Sequence, residues 1–264
     1  MHLGPYQIVQ ELAQGPWPEG VMSRYLGLHA EAQTSHVLYR LALAGDKSER
    51  RRVVSAFDAL SHLSHPHVLR IERFTLEGDR AAWAVTPYTG AQSGLLTLPD
   101  HLGAKGGRMG LAEAERATRH VLEAMACAHE RGIVHGPIDR ERLLVDRFGS
   151  IRVELYGLDR MLDGLGSANA EVIRDEVRGA VELAYRLITG IDADEPMIPA
   201  VRLAKKLDKR VADWLEAGLD PAGGESSASE ARGALADTMP KPVVGPMRQV
   251  LDRFRGRVPV RDEA

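Results

Sequence analysis

The chain has 264 residues, of which 44% are hydrophobic and 27% are charged, and its formal net charge is −3. Such a chain is too apolar to be disordered and not basic enough to bind nucleic acid by neutralising phosphates. Its single cysteine, Cys127, excludes a disulfide framework and a cysteine-based metal cluster. Because no run of eighteen apolar residues occurs, no membrane span is expected either, and we predict a cytoplasmic protein.

Short strands separated by turns are predicted over the first 90 residues. Residues 6–12 alternate between apolar and polar side chains, which is typical of a half-buried strand. After a stretch rich in glycine and proline, residues 24–28 and 36–43 predict the next two strands. Residues 68–71 and 81–85 predict two more, so this part of the chain is expected to form a sheet.

Apolar residues at helical spacing predict one helix within this part, over residues 47–63, with Asp46 or Ser48 as its N-cap and Pro66 beyond its end. After Gly90 the pattern becomes mainly helical. The helices expected there cover residues 111–131, 175–189, 201–217 and 226–236, and a hairpin is expected from strands 143–145 and 151–153.

The order of these elements predicts an α+β fold with two lobes. The first lobe, residues 1–88, is rich in strands and contains one helix. The second, residues 89–238, is helical. Residues 239–264 are expected to form a separate tail.

Five strings in this order resemble segments of the protein kinase family, in particular of bacterial Ser/Thr protein kinases. In chain order, they correspond to five segments of the family. The first is the turn after helix C, the second the end of the long helix before the catalytic loop, and the third the last residues of that loop. The fourth is the end of helix F, and the fifth is a later string of the bacterial members. The strings are Leu63–Val68, Ala128–His135, Arg142–Val145, Ala184–Gly190 and Leu219–Pro221. The resemblance implies a two-lobed kinase-like fold with a β-rich N-lobe and an α-helical C-lobe.

The resemblance also assigns positions that handle a nucleotide in the family, and this chain has unusual residues there. The glycine-rich loop falls on residues 13–20, where Gly15 and a second glycine stand among two prolines, a tryptophan and a glutamate. Prolines donate no N–H and the tryptophan is bulky, so the loop is a poor phosphate cradle. The strand lysine falls on Arg40, and its glutamate partner in helix C falls near Ala56.

The catalytic loop departs further from the family's pattern. Its base position falls on Pro137, which cannot accept a proton, and its lysine position falls on Asp139. The metal-binding asparagine falls on Arg142, and the aspartate of the Asp-Phe-Gly triplet falls on Leu155. Neither of these two side chains can ligate Mg²⁺, so no metal site is expected, and neither Mg²⁺ nor ATP is expected as a cofactor.

Positions that pack the family's hydrophobic spine keep suitable side chains. They fall on Leu60, Ile71, His135 and Tyr156. Because groups needed for burial persist while groups needed for charge chemistry are replaced, the resemblance implies a pseudokinase that is not an enzyme. We predict a catalytically inactive kinase-like domain that binds another protein, as a scaffold or allosteric regulator in signalling or assembly, and self-association stays open.

A second hypothesis retains nucleotide binding, either as a sensor or as an enzyme with weak, atypical phosphoryl or nucleotidyl transfer. Its candidate nucleotide contacts are Gly15, Arg40, Pro87, Thr89 and Arg142. Two guanidinium groups can hold phosphate in place of a metal ion. The alternative is that both arginines form internal ion pairs, and the expected partners are Asp139, Glu141 and Glu154.

Several side chains allow two interpretations. Asp139 is either a displaced base or an exposed loop carboxylate, and His135 is either a base or a packed spine residue. His62, His65 and His67 are either metal ligands or loop and helix-end residues, and the absence of nearby acidic or cysteine partners in the sequence favours the latter.

The tail carries six basic and three acidic residues. Four apolar residues within it recur at the spacing of one helix face, and they are Met247, Val250, Leu251 and Phe254. This amphipathic helix is predicted either to bind the partner protein or to dock on the C-lobe of its own chain.

Overall fold

The computed structural model describes residues 2–90, 94–194, 196–220 and 223–238. Its strands are β1 His2–Leu3, β2 Tyr6–Glu11, β3 Met22–His29, β4 Ser35–Ala42, β5 Arg73–Glu77, β6 Ala81–Pro87, β7 Leu143–Val145 and β8 Ile151–Val153. Its helices are α1 Lys47–Ser61, α2 Leu98–Ala104, α3 Leu111–His129, α4 Leu158–Leu162, α5 Ala170–Thr189, α6 Ala200–Leu203, α7 Lys209–Leu219 and α8 Ala228–Thr238. Among the described helices, none has the length and apolarity needed to cross a membrane. The predicted tail helix with Met247, Val250, Leu251 and Phe254 lies outside the described residues.

The first lobe contains a six-stranded antiparallel sheet in the order β1-β2-β3-β4-β6-β5. Because side chains alternate along β4, Val37, Tyr39 and Leu41 lie on the face that packs on α1. Leu38 lies on the opposite face, where it packs with Trp83. The strands predicted around residues 6–12, 24–28, 36–43 and 81–85 are confirmed. The two faces of β4 decide which side chains reach the space between the lobes.

Helix α1 forms where the apolar spacing predicts it. Asp46 adopts an extended conformation and its carboxylate accepts a hydrogen bond from the backbone N–H of Glu49 at 3.3 Å, so it is the N-cap. The stripe that the helix buries against the sheet consists of Val53, Ala56, Phe57 and Leu60.

The strand predicted over residues 68–71 is absent, and β5 begins at Arg73 instead. The backbone N–H of Leu69 donates to the carbonyl of Val153 at 2.9 Å, and the N–H of Val153 donates to the carbonyl of His67 at 2.8 Å. The apolar run is therefore buried, but its backbone partner is the C-terminal hairpin rather than the sheet. Local pattern cannot distinguish these two partners.

The second lobe packs α3 against α5 and α8, with α7 beside α5, and it carries the predicted β7–β8 hairpin. The single helix predicted over residues 201–217 is wrong, because the chain forms α6 and α7 with a break between them. Asp208 is extended there, and its side chain accepts from the backbone N–H of Arg210 at 2.8 Å, which caps a new helix. Helix α5 begins earlier than predicted because Asn169 caps it through the N–H of Val172.

The connection between the lobes runs from the end of β6 to α2, so the predicted boundary at residues 88 and 89 falls within it and stays a prediction. Helix α2 was not predicted. It begins with a reciprocal cap, in which Thr97 accepts from the N–H of Asp100 and the Asp100 carboxylate accepts from the N–H of Thr97, both at 3.3 Å.

Two stacked histidines join the segment before β5 to the second lobe. The rings of His67 and His120 lie 3.8 Å apart between centroids. The backbone N–H of Ile151 donates to Nδ1 of His120 at 3.2 Å, and Nε2 of His67 lies 3.5 Å from a carboxylate oxygen of Glu123. Burial and the proximity of His67 lower the pKa of His120 to about 4. Across the described residues, no cluster that could hold a metal ion is found.

This histidine stack predicts a loss of stability in mild acid. The folded state disfavours the charged His120 ring, so below about pH 6.5 the unfolded chain binds the proton more readily and stability falls toward pH 4. Between pH 7.5 and 5.0, we expect wild type to lose about 1–2 kcal/mol more than His120→Asn, allowing for solvent screening. Urea unfolding at both pH values measures this, with His62→Asn as the exposed control. An equal pH dependence in wild type and His120→Asn contradicts the prediction.

Candidate functional site

The candidate site is the cleft between the lobes. On one side lies the loop that joins β2 to β3, and on the other lie α2 and the segment that precedes β7. A cavity of about 390 Å³ opens at its mouth, between residues 10–16 and residues 94–100. Three exposed carboxylates line it, and they belong to Glu11, Asp100 and Glu141.

The loop between β2 and β3 folds its tryptophan into the cleft. The Trp17 side chain is only 5% exposed, and its Nε1 donates to Oδ1 of Asp159 at 3.1 Å. The guanidinium of Arg142 lies over the indole ring, 4.9 Å from its centroid. A Cβ at Gly15 would lie 2.7 Å from the indole, so this loop glycine makes room for the tryptophan.

Deeper in the cleft lies a buried ion pair that a tyrosine hydroxyl joins. Nη1 of Arg24 is 3.1 Å from Oε1 of Glu154, and the side chains are 3% and 0% exposed. The Tyr39 hydroxyl donates to the same carboxylate oxygen at 2.6 Å. Arg24 also donates to the carbonyls of Ala13 and Gln14 at 2.9 Å, which fixes the loop above it. The charge-assisted bonds compensate the desolvation of both ions.

Burial raises the pKa of Glu154, and the adjacent Arg24 guanidinium opposes that shift. Burial and the Glu154 carboxylate raise the pKa of Tyr39 well above its usual value, so its hydroxyl remains a donor. We call the six side chains that fill the cleft the cleft latch, and they are Trp17, Arg24, Tyr39, Arg142, Glu154 and Asp159.

Arg40 is not in the cleft, which corrects its assignment to the strand-lysine position. It lies on the opposite face of β4, where its guanidinium is 3.5 Å from the Glu77 carboxylate and 5.9 Å from the centroid of the Trp83 ring. On the face of β4 that carries Val37 and Leu41, the side chain that reaches Glu154 is Tyr39. The shift by one residue reverses the face, because side chains alternate along a strand.

Ala56 is buried on the sheet side of α1, at 1% exposure, while Asp58 is exposed on the outer side. No carboxylate of α1 therefore belongs to the buried stripe of that helix. The acidic group of the deep cleft is instead Glu154, which directly follows β8.

The loop that carries Pro137 and Asp139 is exposed. The Asp139 carboxylate accepts from the N–H of Glu141 at 2.9 Å and caps the short 3₁₀ helix Arg140–Arg142, so here it is a structural loop carboxylate. Arg142 forms an ion pair with Asp159, which differs from the partners expected for it. Both candidate arginines are thus in ion pairs, and the structure does not bring them together.

Leu155 lies at the position expected for the metal-binding aspartate and is 1% exposed. Its φ of 44° is in the left-handed region, which costs a non-glycine residue about 1–3 kcal/mol. Two residues later, Gly157 has φ 71°, and a Cβ there would lie 2.5 Å from the carbonyl oxygen of Val134. Close packing therefore holds this turn in its strained shape.

The four predicted spine residues are all buried. Leu60, Ile71 and Tyr156 belong to one core cluster, and the rings of His135 and Tyr156 meet edge to face at 5.2 Å. Burial lowers the pKa of His135, which keeps the ring neutral at physiological pH. This environment favours the packed interpretation of His135 over a base.

Glu176 of α5 anchors the loop that follows α3. Its Oε2 accepts from the backbone N–H groups of His135 at 2.9 Å and Gly136 at 3.3 Å. Its Oε1 accepts from the Tyr156 hydroxyl, and the side chain is fully buried. The sequence offers two adjacent acidic residues here, and Asp175 is the one that points to the surface.

The remaining candidate nucleotide contacts lie at the end of β6. Pro87 is its last residue and Thr89 follows two positions later, and both are half-buried. Gly15 lines the cavity at the mouth of the cleft. Of the five candidates, Arg142 belongs to the cleft latch and Gly15 contacts its tryptophan.

Comparison with known proteins gives consistent matches. A family model described as protein tyrosine and serine/threonine kinase matches residues 6–174. CBL-interacting protein kinase 4 of Oryza sativa subsp. japonica is 26% identical over 165 residues, which cover 62% of this chain and 35% of that protein. CBL-interacting protein kinase 21 of the same organism is 24% identical over 245 residues, which cover 83% and 44%. The chain spans less than half the length of these two relatives.

Among solved structures, the PknI kinase domain of Mycobacterium tuberculosis is similar, with a TM-score of 0.68 at 18% sequence identity. The match covers 90% of this chain and 98% of that chain. The two-lobed kinase-like α+β fold predicted from the sequence is thereby confirmed. The prediction that the chain is not an enzyme is wrong, because the matching family model and both relatives are named as protein kinases.

Proposed function

Since the chain belongs to the protein tyrosine and serine/threonine kinase family, we propose that it is a regulatory member of that family. In this proposal the cleft latch holds the nucleotide cleft closed, and the two-lobed surface that it stabilises binds another protein. Opening of the latch then controls access to the cleft.

The observation that carries this proposal is the tryptophan in the cleft. A loop that cradles phosphate points backbone N–H groups at its ligand, whereas this loop inserts the Trp17 ring against Arg142 and Asp159. Arg142 and Asp159 also neutralise each other. The charged groups of the cleft latch are thus paired with one another without a ligand, which holds the lobes in one relative arrangement when no nucleotide is bound.

The side chains present do not fit a magnesium–nucleotide complex in this conformation. Arg142 and Leu155 occupy the two positions from which the family ligates the metal ion, and neither offers an oxygen. The space above Gly15, where phosphate would approach the loop, is filled by the indole ring.

Phosphoryl transfer of an altered kind is the second candidate function. It is favoured by the names of the relatives, which are protein kinases. Two carboxylates near the cleft support it, because the Asp139 side chain is exposed and that of Asp159 is 44% exposed.

A thermal-shift titration with ATP tests the latch. A ligand of the native state raises the melting temperature, and wild type is expected to shift by less than about 1 °C with or without Mg²⁺. Trp17→Gly vacates the space beside Arg142, so ATP without metal is expected to raise its melting temperature by about 2–4 °C. Pro18→Gly, an exposed change in the same loop, is the control and should respond as wild type does.

Transfer of labelled γ-phosphate, measured on the same proteins, separates the two candidates. Magnesium-dependent transfer by wild type, together with a large wild-type shift, would show that the latch does not close the cleft and would favour altered phosphoryl transfer as the main function. The predicted scaffold role, protein partner, self-association, cytoplasmic location and bacterial origin remain part of this proposal.

A further inference from the structure

A groove at the base of the second lobe is distinct from the cleft. Three segments build it: the end of α2 with the residues up to Leu111, the end of α5, and the turn between α6 and α7. Its volume is about 660 Å³. We call it the basal groove, and its principal side chains are Lys105, Arg108, Leu111, Leu203, Lys205 and Lys206.

The rim of the basal groove is entirely basic. Every ionisable side chain that lines it is a lysine or arginine. Lys105 pairs with Glu113 at 2.6 Å. Over the described ranges of the chain, Arg108, Lys205 and Lys206 are exposed and form no ion pair. The groove therefore presents three uncompensated positive charges on a chain whose net charge is negative.

The floor of the basal groove is apolar. Leu111, Leu203 and Leu207 are half-buried, and each packs partly on the core while leaving part of its surface in the groove. In and just before helix α6, which supplies Leu203, Val201 is 44% exposed and Ile198 is 42% exposed. Apolar surface inside a charged rim is the composition expected of a peptide-binding groove rather than of a solvated face.

The walls of the groove are held by backbone hydrogen bonds. The N–H of Met109 donates to the carbonyl of Leu187 at 2.8 Å, and the N–H of Leu207 donates to the carbonyl of Ala204 at 2.9 Å. These bonds fix the segments that carry the basic residues. A partner thus meets a largely preformed site and loses little free energy to ordering.

We propose that the basal groove binds an acidic segment of a partner protein, whose apolar side chains lie on the floor and whose carboxylates pair with the rim. This inference rests on the proposed protein-binding function and specifies the chemistry of the partner. The chain's own tail is a poor occupant because its six basic and three acidic residues would be repelled by the rim. The concave shape favours a peptide over an anionic membrane surface.

Fluorescence anisotropy with the full chain tests the proposal. The probe is a labelled peptide that repeats Leu-Glu-Leu-Asp, and its counterpart repeats Leu-Lys-Leu-Arg. We expect the acidic peptide to bind with a dissociation constant of about 10–100 µM and to weaken as salt is added. The double variant Lys205→Glu/Lys206→Glu should weaken this binding at least about tenfold.

The matched control is Lys47→Glu/Arg51→Glu, which makes the same charge change in an exposed groove of the first lobe. It should leave the affinity within about twofold of wild type. The proposal is overturned if the acidic peptide does not bind, if the basic peptide binds as well, or if the control weakens binding equally. Binding to phosphatidylserine vesicles in place of the peptide also overturns it. The ATP response of Trp17→Gly is independent of all these outcomes, so the two proposals fail separately.

Discussion

Glu154→Ala is expected to lower the free energy of unfolding by about 3–5 kcal/mol. The substitution leaves the Arg24 guanidinium buried without its counter-charge and removes the acceptor of the Tyr39 hydroxyl. An uncompensated buried charge costs more than the ion pair itself contributes. Urea unfolding followed by circular dichroism measures the difference.

Two further variants keep this prediction testable if Glu154→Ala does not fold. The double variant Arg24→Met/Glu154→Leu removes both charges and should recover the part of the loss that comes from the unpaired guanidinium, since well-packed apolar side chains often replace a buried ion pair without cost, whereas the Tyr39 hydroxyl still lacks its acceptor. Asp213→Ala breaks an exposed pair with Lys209 and is expected to change stability by less than about 0.5 kcal/mol. If the double variant were less stable than Glu154→Ala, burial of the unpaired charge would not be the cause.

Glu176→Ala is expected to cost about 3–4 kcal/mol, because it removes the acceptor of three buried donors. These are the backbone N–H groups of His135 and Gly136 and the hydroxyl of Tyr156. The loop after α3 should lose its anchor, so faster hydrogen exchange at these two N–H groups is expected together with the lower free energy of unfolding.

The control for this variant lies on the same helix. Glu182 forms an exposed i,i+4 pair with Arg178, and Glu182→Ala should cost less than about 0.5 kcal/mol. Glu176→Gln keeps one carbonyl oxygen as an acceptor, so its loss of stability is expected to lie between those of Glu182→Ala and Glu176→Ala. Equal stability of Glu176→Ala and Glu182→Ala would show that the buried carboxylate does not hold the loop.

Periodicity predicted most of the fold, because a helix or strand that buries one face has apolar residues at the spacing of that face. Helix α1 repeats apolar residues along its buried stripe, and β4 alternates between two apolar faces. The prediction failed for residues 68–71, because their backbone partner lies far away in the sequence. It also failed for residues 201–217, because a helix cap interrupts an otherwise amphipathic pattern.

The contents of the cleft were harder to predict, since the cleft latch joins residues far apart in the sequence. The bonds of Glu154 to Tyr39 and Arg24 span 115 and 130 positions, and that of Trp17 to Asp159 spans 142. One local signal existed. Alternation along β3 places Arg24 on the same face as the apolar Met22, which indicates that a charged side chain is buried between the sheet and its neighbours. Its partner could not be inferred without the fold.

Gly15 and Trp17 form a mutually dependent pair. Because the indole occupies the space in which a Cβ at position 15 would stand, any larger residue there expels the ring, and loss of the ring removes the closest contact that favours glycine. Related sequences should therefore tend to have both Gly15 and Trp17 or neither of them. In other loops such a glycine lets the backbone approach a bound anion, whereas Gly15 makes room for the indole of its own chain.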